Sequence, residues 1–208
     1  MIKDNRAIDP LIISIKGKNN DYDNAAEKAL YMIDPFWINT EAAKKSANLI
    51  VPALKNKDRN VRISAIRALG IMKNAQTINP LINTLKDKDK DVRRATTEVL
   101  GIMKNKQTIK PLIAALKGGD YFATDALDSI DSIWRKNEIV KKTVLILIAE
   151  LKSENDGERE TAIKTLGRIK DISAIKPLEA ALQDKNSQIR SEAEFSLYLI
   201  DPNWKDKK

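Results

Sequence analysis

Four arginines, Arg62, Arg93, Arg159 and Arg190, recur at one register of a repeating pattern. A guanidinium fork suits carboxylate or phosphate, so the row is either a recognition track or an internal ladder. In a ladder, each arginine reaches an acid of the adjacent segment, such as Asp58, Asp89 or Asp184, and rows of charge commonly serve solvated faces and caps in this way. Three copies of Ile-Asp-x-x-Trp end at Trp37, Trp134 and Trp204. Their indoles are either anchors for a partner or plugs between elements of unequal length. Asp87, Asp89 and Asp91 with Glu98 fall on calcium-loop spacing, but Val92 stands where that loop needs Gly, so these acids are expected to cap a helix. Asp120, Asp125, Asp128 and Asp131 form an acidic row at helical spacing. Burial would turn such carboxylates to acid–base work, although surface solubility is the commoner reason for the pattern. The chain has no Cys and no His. This removes disulfides, thiolate nucleophiles, His-ligated metals and imidazole catalysis. Gly118-Gly119 is a turn, and no phosphate-cradling glycine loop is present.

These residues are positioned by an internal repeat. Leu54-Lys55-Asn56-Lys57-Asp58 matches Leu85-Lys86-Asp87-Lys88-Asp89, and Leu69-Gly70-Ile71-Met72-Lys73-Asn74 matches Leu100-Gly101-Ile102-Met103-Lys104-Asn105, each 31 residues on. Apolar spacing within a unit, as in Val61, Ala65, Ala68, Leu69 and Met72 followed by Ile78, Leu81, Ile82 and Leu85, predicts a helical hairpin. Six hairpins follow, with first helices near 7–16, 40–55, 77–86, 107–117, 138–152 and 173–183. The second helices lie near 22–33, 60–73, 91–104, 120–134, 156–169 and 187–200. Asp58 and Asp89 read as N-caps, and Pro10, Pro80, Pro111 and Pro177 fall near first-helix starts. A longer period of 97 residues carries Ile33-Asp34 to Ile130-Asp131 and Leu69-Gly70 to Leu166-Gly167. Three hairpins thus form a block, 1–104, duplicated as 105–204, within a single repeat domain over 1–208. Its units are about 1–33, 34–73, 74–104, 105–134, 135–169 and 170–204. The units after Trp37 and Trp134 are 8 residues longer, enough for about two extra helical turns. Ile2-Lys3-Asp4 resembles an inter-helix loop and Ile200-Asp201-Pro202-Asn203-Trp204 repeats a motif that elsewhere precedes a long helix, so a segment of a longer array is expected.

Val61-Arg62 and Val92-Arg93 at second-helix starts, the alanines and Leu-Gly pairs within those helices, and Ile-x-Pro-Leu-Ile at Ile78 and Ile109 resemble HEAT-like repeats of the phycobilisome-lyase type. The resemblance spans nearly the whole chain. It implies an all-α fold, a right-handed α-solenoid of about six stacked antiparallel hairpins. That family includes bilin lyases, chaperones, hydroxylases and binding scaffolds, so it specifies architecture more than activity. Its deoxyhypusine hydroxylases hold iron with His-Glu pairs, which a chain without His does not supply.

The net charge is +8, yet acids are interleaved throughout and the acidic row would interrupt a basic track. The longest apolar run, Val144 to Ala149, is far short of the roughly 18–20 residues of a membrane span. The leading expectation is a cytoplasmic, non-catalytic scaffold without cofactor or metal that binds a protein or peptide in a groove lined by second helices. The groove residues expected are Tyr31, Arg62, Arg67, Arg93, Arg94, Asp125, Asp128, Arg159, Lys164, Arg190 and Tyr198. An enzyme of the bilin-lyase kind, with a carboxylate in an apolar pocket, is the alternative. Sequence-independent nucleic-acid binding comes third.

Overall fold

The computed structural model describes residues 41–207. The first expected hairpin, Tyr31, the Trp37 motif and Ile2-Lys3-Asp4 lie outside them. The described residues form ten α-helices linked by short 3-10 turns, with no strand among them. None of the helices is long and apolar enough to cross a membrane. The chain divides into two compact units, Met1–Thr108 and Ile109–Lys208.

In the first unit, α1 (Glu41–Ile50) runs into a 3-10 turn over Val51–Lys55. A continuous helix over 40–55 was expected; Pro52, which has no N–H to donate, stands where the α-helix gives way. Then come α2 (Arg59–Met72), α3 (Ile78–Thr84) and α4 (Lys90–Met103). Asp58 caps α2 through Asn60 N, and Asp89 caps α4 through the N–H groups of Asp91 and Val92, as expected of both. Helix α2 packs on α4, and Ile66, Leu69, Leu81 and Leu100 are fully buried.

The second unit holds α5 (Ile109–Lys117), α6 (Ala123–Ile130), α7 (Glu138–Glu150), α8 (Asp156–Ile169), α9 (Ile175–Ala181) and α10 (Ser187–Ile200). Asn137, Asn155 and Asn186 cap α7, α8 and α10. At 13 residues, α7 is nearly twice the length of α9 at 7, which takes up six of the 8 additional residues of the longer unit. Helix α6 is shorter than the expected 120–134. Asp131 adopts an extended backbone and ends it, and Trp134 starts a separate turn.

The second helices end in two ways. Helices α2, α4 and α8 close on Lys73, Lys104 and Lys170 in the left-handed conformation, which returns an N–H to the preceding turn. Helices α6 and α10 close instead on extended Asp131 and Asp201. The carboxylate of Asp131 accepts from Ile133 N and that of Asp201 from Asn203 N, and each aspartate's carbonyl accepts from the N–H of the following Trp.

The Leu-Gly pairs mark close helix contacts. A Cβ on Gly70 would lie 2.8 Å from Val99 Cγ1, and one on Gly167 would lie 2.9 Å from Ser196 Cα. Backbones can therefore approach, and Ser196 Oγ donates across the α8–α10 interface to Ile163 O at 3.0 Å.

Candidate partner-binding face

The arginine row is a set of loop latches. Arg62 Nη1 donates to the carbonyls of Asn56 and Lys57, Arg93 to Asp87 and Lys88, Arg159 to Ser153 and Glu154, and Arg190 to Asp184 and Lys185. Each guanidinium thus satisfies two carbonyls in the loop before its own helix, which helical hydrogen bonds leave unpaired. Two arginines also stitch hairpins together. Arg62 meets Asp87 at 2.8 Å and Arg159 meets Asp184 at 2.8 Å. The Arg62 partner is therefore Asp87 rather than Asp58 or Asp89, whose carboxylates serve as caps; Asp184 is the partner expected. Hydrogen bonding from Arg159 holds the Asp184 carboxyl below its ordinary range, against a smaller opposing effect of burial. Arg62 and Arg159 are each only 5% exposed, so neither is the groove residue it was expected to be. Periodicity places both on the right helix but not on its solvent side.

The tryptophans are plugs in both described copies. Trp134 is 1% and Trp204 6% exposed. The Trp134 indole donates to Asp128 Oδ1, and Arg135 stacks over the ring at 4.5 Å from its centre. Arg135 also pairs with Asp128 and donates from Nε to Ile169 O at the end of α8. Partial burial raises the Asp128 pKa, but the bonds from Arg135 and Trp134 outweigh it and leave the carboxyl below its usual range. Asp128 is committed to this cluster. The other members of the acidic row do not converge: Asp120 and Asp131 cap turns through Phe122 N and Ile133 N, while Asp125 is exposed.

Of the other expected groove residues, Arg67 and Arg93 are half-buried, Arg94 is exposed and paired with Glu98, and Arg190 is exposed. Lys164 stands on α8 and Tyr198 on α10, two helices that pack together. Because these helices pack directly, Lys164 Nζ reaches both Glu160 of its own helix and Glu192 of the next, the latter at 3.3 Å. Hydrogen bonding to Glu160 leads the effects that raise the Lys164 pKa. Tyr121 lies within the field of this cluster, its phenol pushed up by burial first, and the Arg168 guanidinium stands 5.8 Å from its ring centre. Phe195 follows Lys164 by one 31-residue period and is 53% exposed; Tyr198, one turn on, is 54% exposed. Phe195, Tyr121, Glu160 and Glu192 were not expected here. The repeat register of Phe195 with Lys164 was the available signal.

A sequence profile for HEAT repeats matches residues 46–131 and 122–198. The chain belongs to the HEAT-repeat family. The hairpins and second-helix contacts above are its repeats, and the fold class is the all-α solenoid. No curated protein matches the chain significantly in sequence. Several solved structures are similar to it. An engineered protein is 18% identical, with 94% of this chain and 96% of that one covered and a TM-score of 0.45. The complex of CpcE and CpcF of phycocyanin lyase from Nostoc sp. is 20% identical, with coverage of 93% and 94% and a TM-score of 0.43. A designed armadillo repeat protein in complex with the peptide (KR)4 is 14% identical, with coverage of 93% and 99% and a TM-score of 0.42.

Proposed function

We propose that this HEAT-repeat chain is a non-catalytic scaffold that binds a protein or peptide on the exposed face of its second helices, centred on Phe195. The observation that carries the reading is the setting of that ring. Phe195 is half in solvent on α10, next in the repeat register to the Lys164–Glu160–Glu192 cluster. An aromatic centre with a polar, pre-ordered rim is how protein interfaces concentrate their binding energy. Arg62 and Arg159 are occupied in holding loops, which supports a binding role over a catalytic one.

Peptide display against the full chain, run in parallel on Phe195→Asp, tests the proposal. Peptides that converge on the parent and lose binding to the variant are expected. Peptides that bind both equally, or an absence of enrichment on the parent, would overturn it.

A further inference from the structure

The first unit holds a second surface of different chemistry. Loops 55–58 and 86–88, with the helix ends that lead into them, border a cavity of about 640 Å³. Its apolar lining comes from Val51, Leu54 and Pro80. Lys55, Lys57, Lys86 and Lys88 also line it; all four are exposed, and none forms an ion pair among the described residues. Asn56, Asn83 and Thr84 add neutral polar groups, and Arg62 and Asp87 complete the wall but neutralise one another. The described lining residues therefore carry a net charge of +4, five cations against Asp87.

This concentration of charge is not a by-product of the repeat. The matching positions in the second unit are Lys152, Glu154, Gln183 and Lys185, where one acid and one amide replace lysines. The Arg62 and Arg93 latches hold the loops that carry Lys57 and Lys88 through their own backbone carbonyls, so the charges are presented on an ordered frame. Binding then costs little loop ordering. Among the described residues the lining holds no aromatic ring, and this separates two anionic partners. Single-stranded nucleic acid is commonly held by stacking on aromatic rings, and duplex is followed along a charged track. A half-open cavity with an apolar patch and four bordering lysines instead suits an apolar side chain flanked by carboxylates.

We propose that this cavity docks an acidic protein segment, with an apolar side chain against Val51, Leu54 and Pro80 and flanking Asp or Glu residues paired with Lys55, Lys57, Lys86 and Lys88. This site is separate in sequence and chemistry from the Phe195 face and does not rest on it.

Fluorescence anisotropy on the full chain with labelled Glu-Glu-Leu-Glu-Glu, its Gln-Gln-Leu-Gln-Gln counterpart and a labelled DNA duplex is the test. The acidic peptide is expected to bind about tenfold or more tightly than the neutral one and to weaken as salt rises. Lys57→Glu/Lys88→Glu should remove that preference, and Lys57→Gln/Lys88→Gln should reduce it, with circular dichroism unchanged. Phe195→Asp should leave it intact, which keeps this site's failure distinct from that of the Phe195 face. Equal binding of the two peptides, or an acidic preference that survives in both lysine variants, would overturn the proposal. Tighter binding of duplex than of acidic peptide, lost in the same variants, would overturn it in favour of nucleic acid.

Discussion

The indole N–H of Trp134 donates to Asp128 Oδ1 at 2.7 Å, tying the turn after α6 back to the helix it follows. Arg135 closes the other side by pairing with Asp128 while donating to Ile169 O. The ring is therefore held on its faces by packing and at its edge by a bond to a charged acceptor. Trp134→Ala should cost about 3–5 kcal/mol, the usual range for emptying a large aromatic site. Trp134→Phe retains most of the packing and should cost about 1 kcal/mol. Urea unfolding of the two variants measures both. Equal, small losses would mean that the indole is not a plug.

Gly167 admits Ser196 against α8, and a Cβ there would meet Ser196 backbone as well as its side chain. Gly167→Ala should destabilise the chain by about 1–3 kcal/mol despite alanine's better helix propensity. Thermal unfolding reads the sign directly, since a gain in Tm would contradict the close approach.

Lys73 and Lys104 occupy left-handed backbone at φ 46 and 50. An L-residue pays for that conformation and glycine does not. Lys73→Gly and Lys104→Gly should each stabilise by about 0.5–1 kcal/mol, additively if the two helix ends act independently. Denaturant midpoints of the single and double variants check this.

Asp184 has a lowered pKa in the folded chain, chiefly through its bond from Arg159. A depressed carboxylate contributes stability that is present above its unfolded value, near pH 4, and disappears as pH falls through the lower folded value. The urea midpoint of the parent should therefore exceed that of Asp184→Asn by a constant margin near neutrality. The two should draw together only below about pH 4. A margin that persists under strong acid would assign the Asp184 effect to packing.

The described helices, the caps at Asp58 and Asp89 and the repeat were legible in the sequence because helix and cap are set by neighbours a few residues apart. The i, i+3, i+4 apolar spacing specifies a helix, and Asp58 or Asp89 needs only the next two or three N–H groups to cap one. The 31-residue period then made the same prediction in successive units. Tertiary structure decided what that spacing leaves open. Arg62 and Arg94 both sit on second helices, yet one is buried under its own loop and bound to Asp87, 25 residues away, while the other is exposed. The Ile-Asp-x-x-Trp motif read equally as anchor or plug until the extended backbone at Asp131 turned Trp134 inward onto Asp128. Leu-Gly was a bare regularity until Ser196 was found against Gly167. Burial and partner choice depend on which residues the next hairpin brings within a few ångströms. Periodicity along one helix names its apolar stripe, but whether a polar residue beside that stripe meets solvent or a neighbour depends on the packing of another segment.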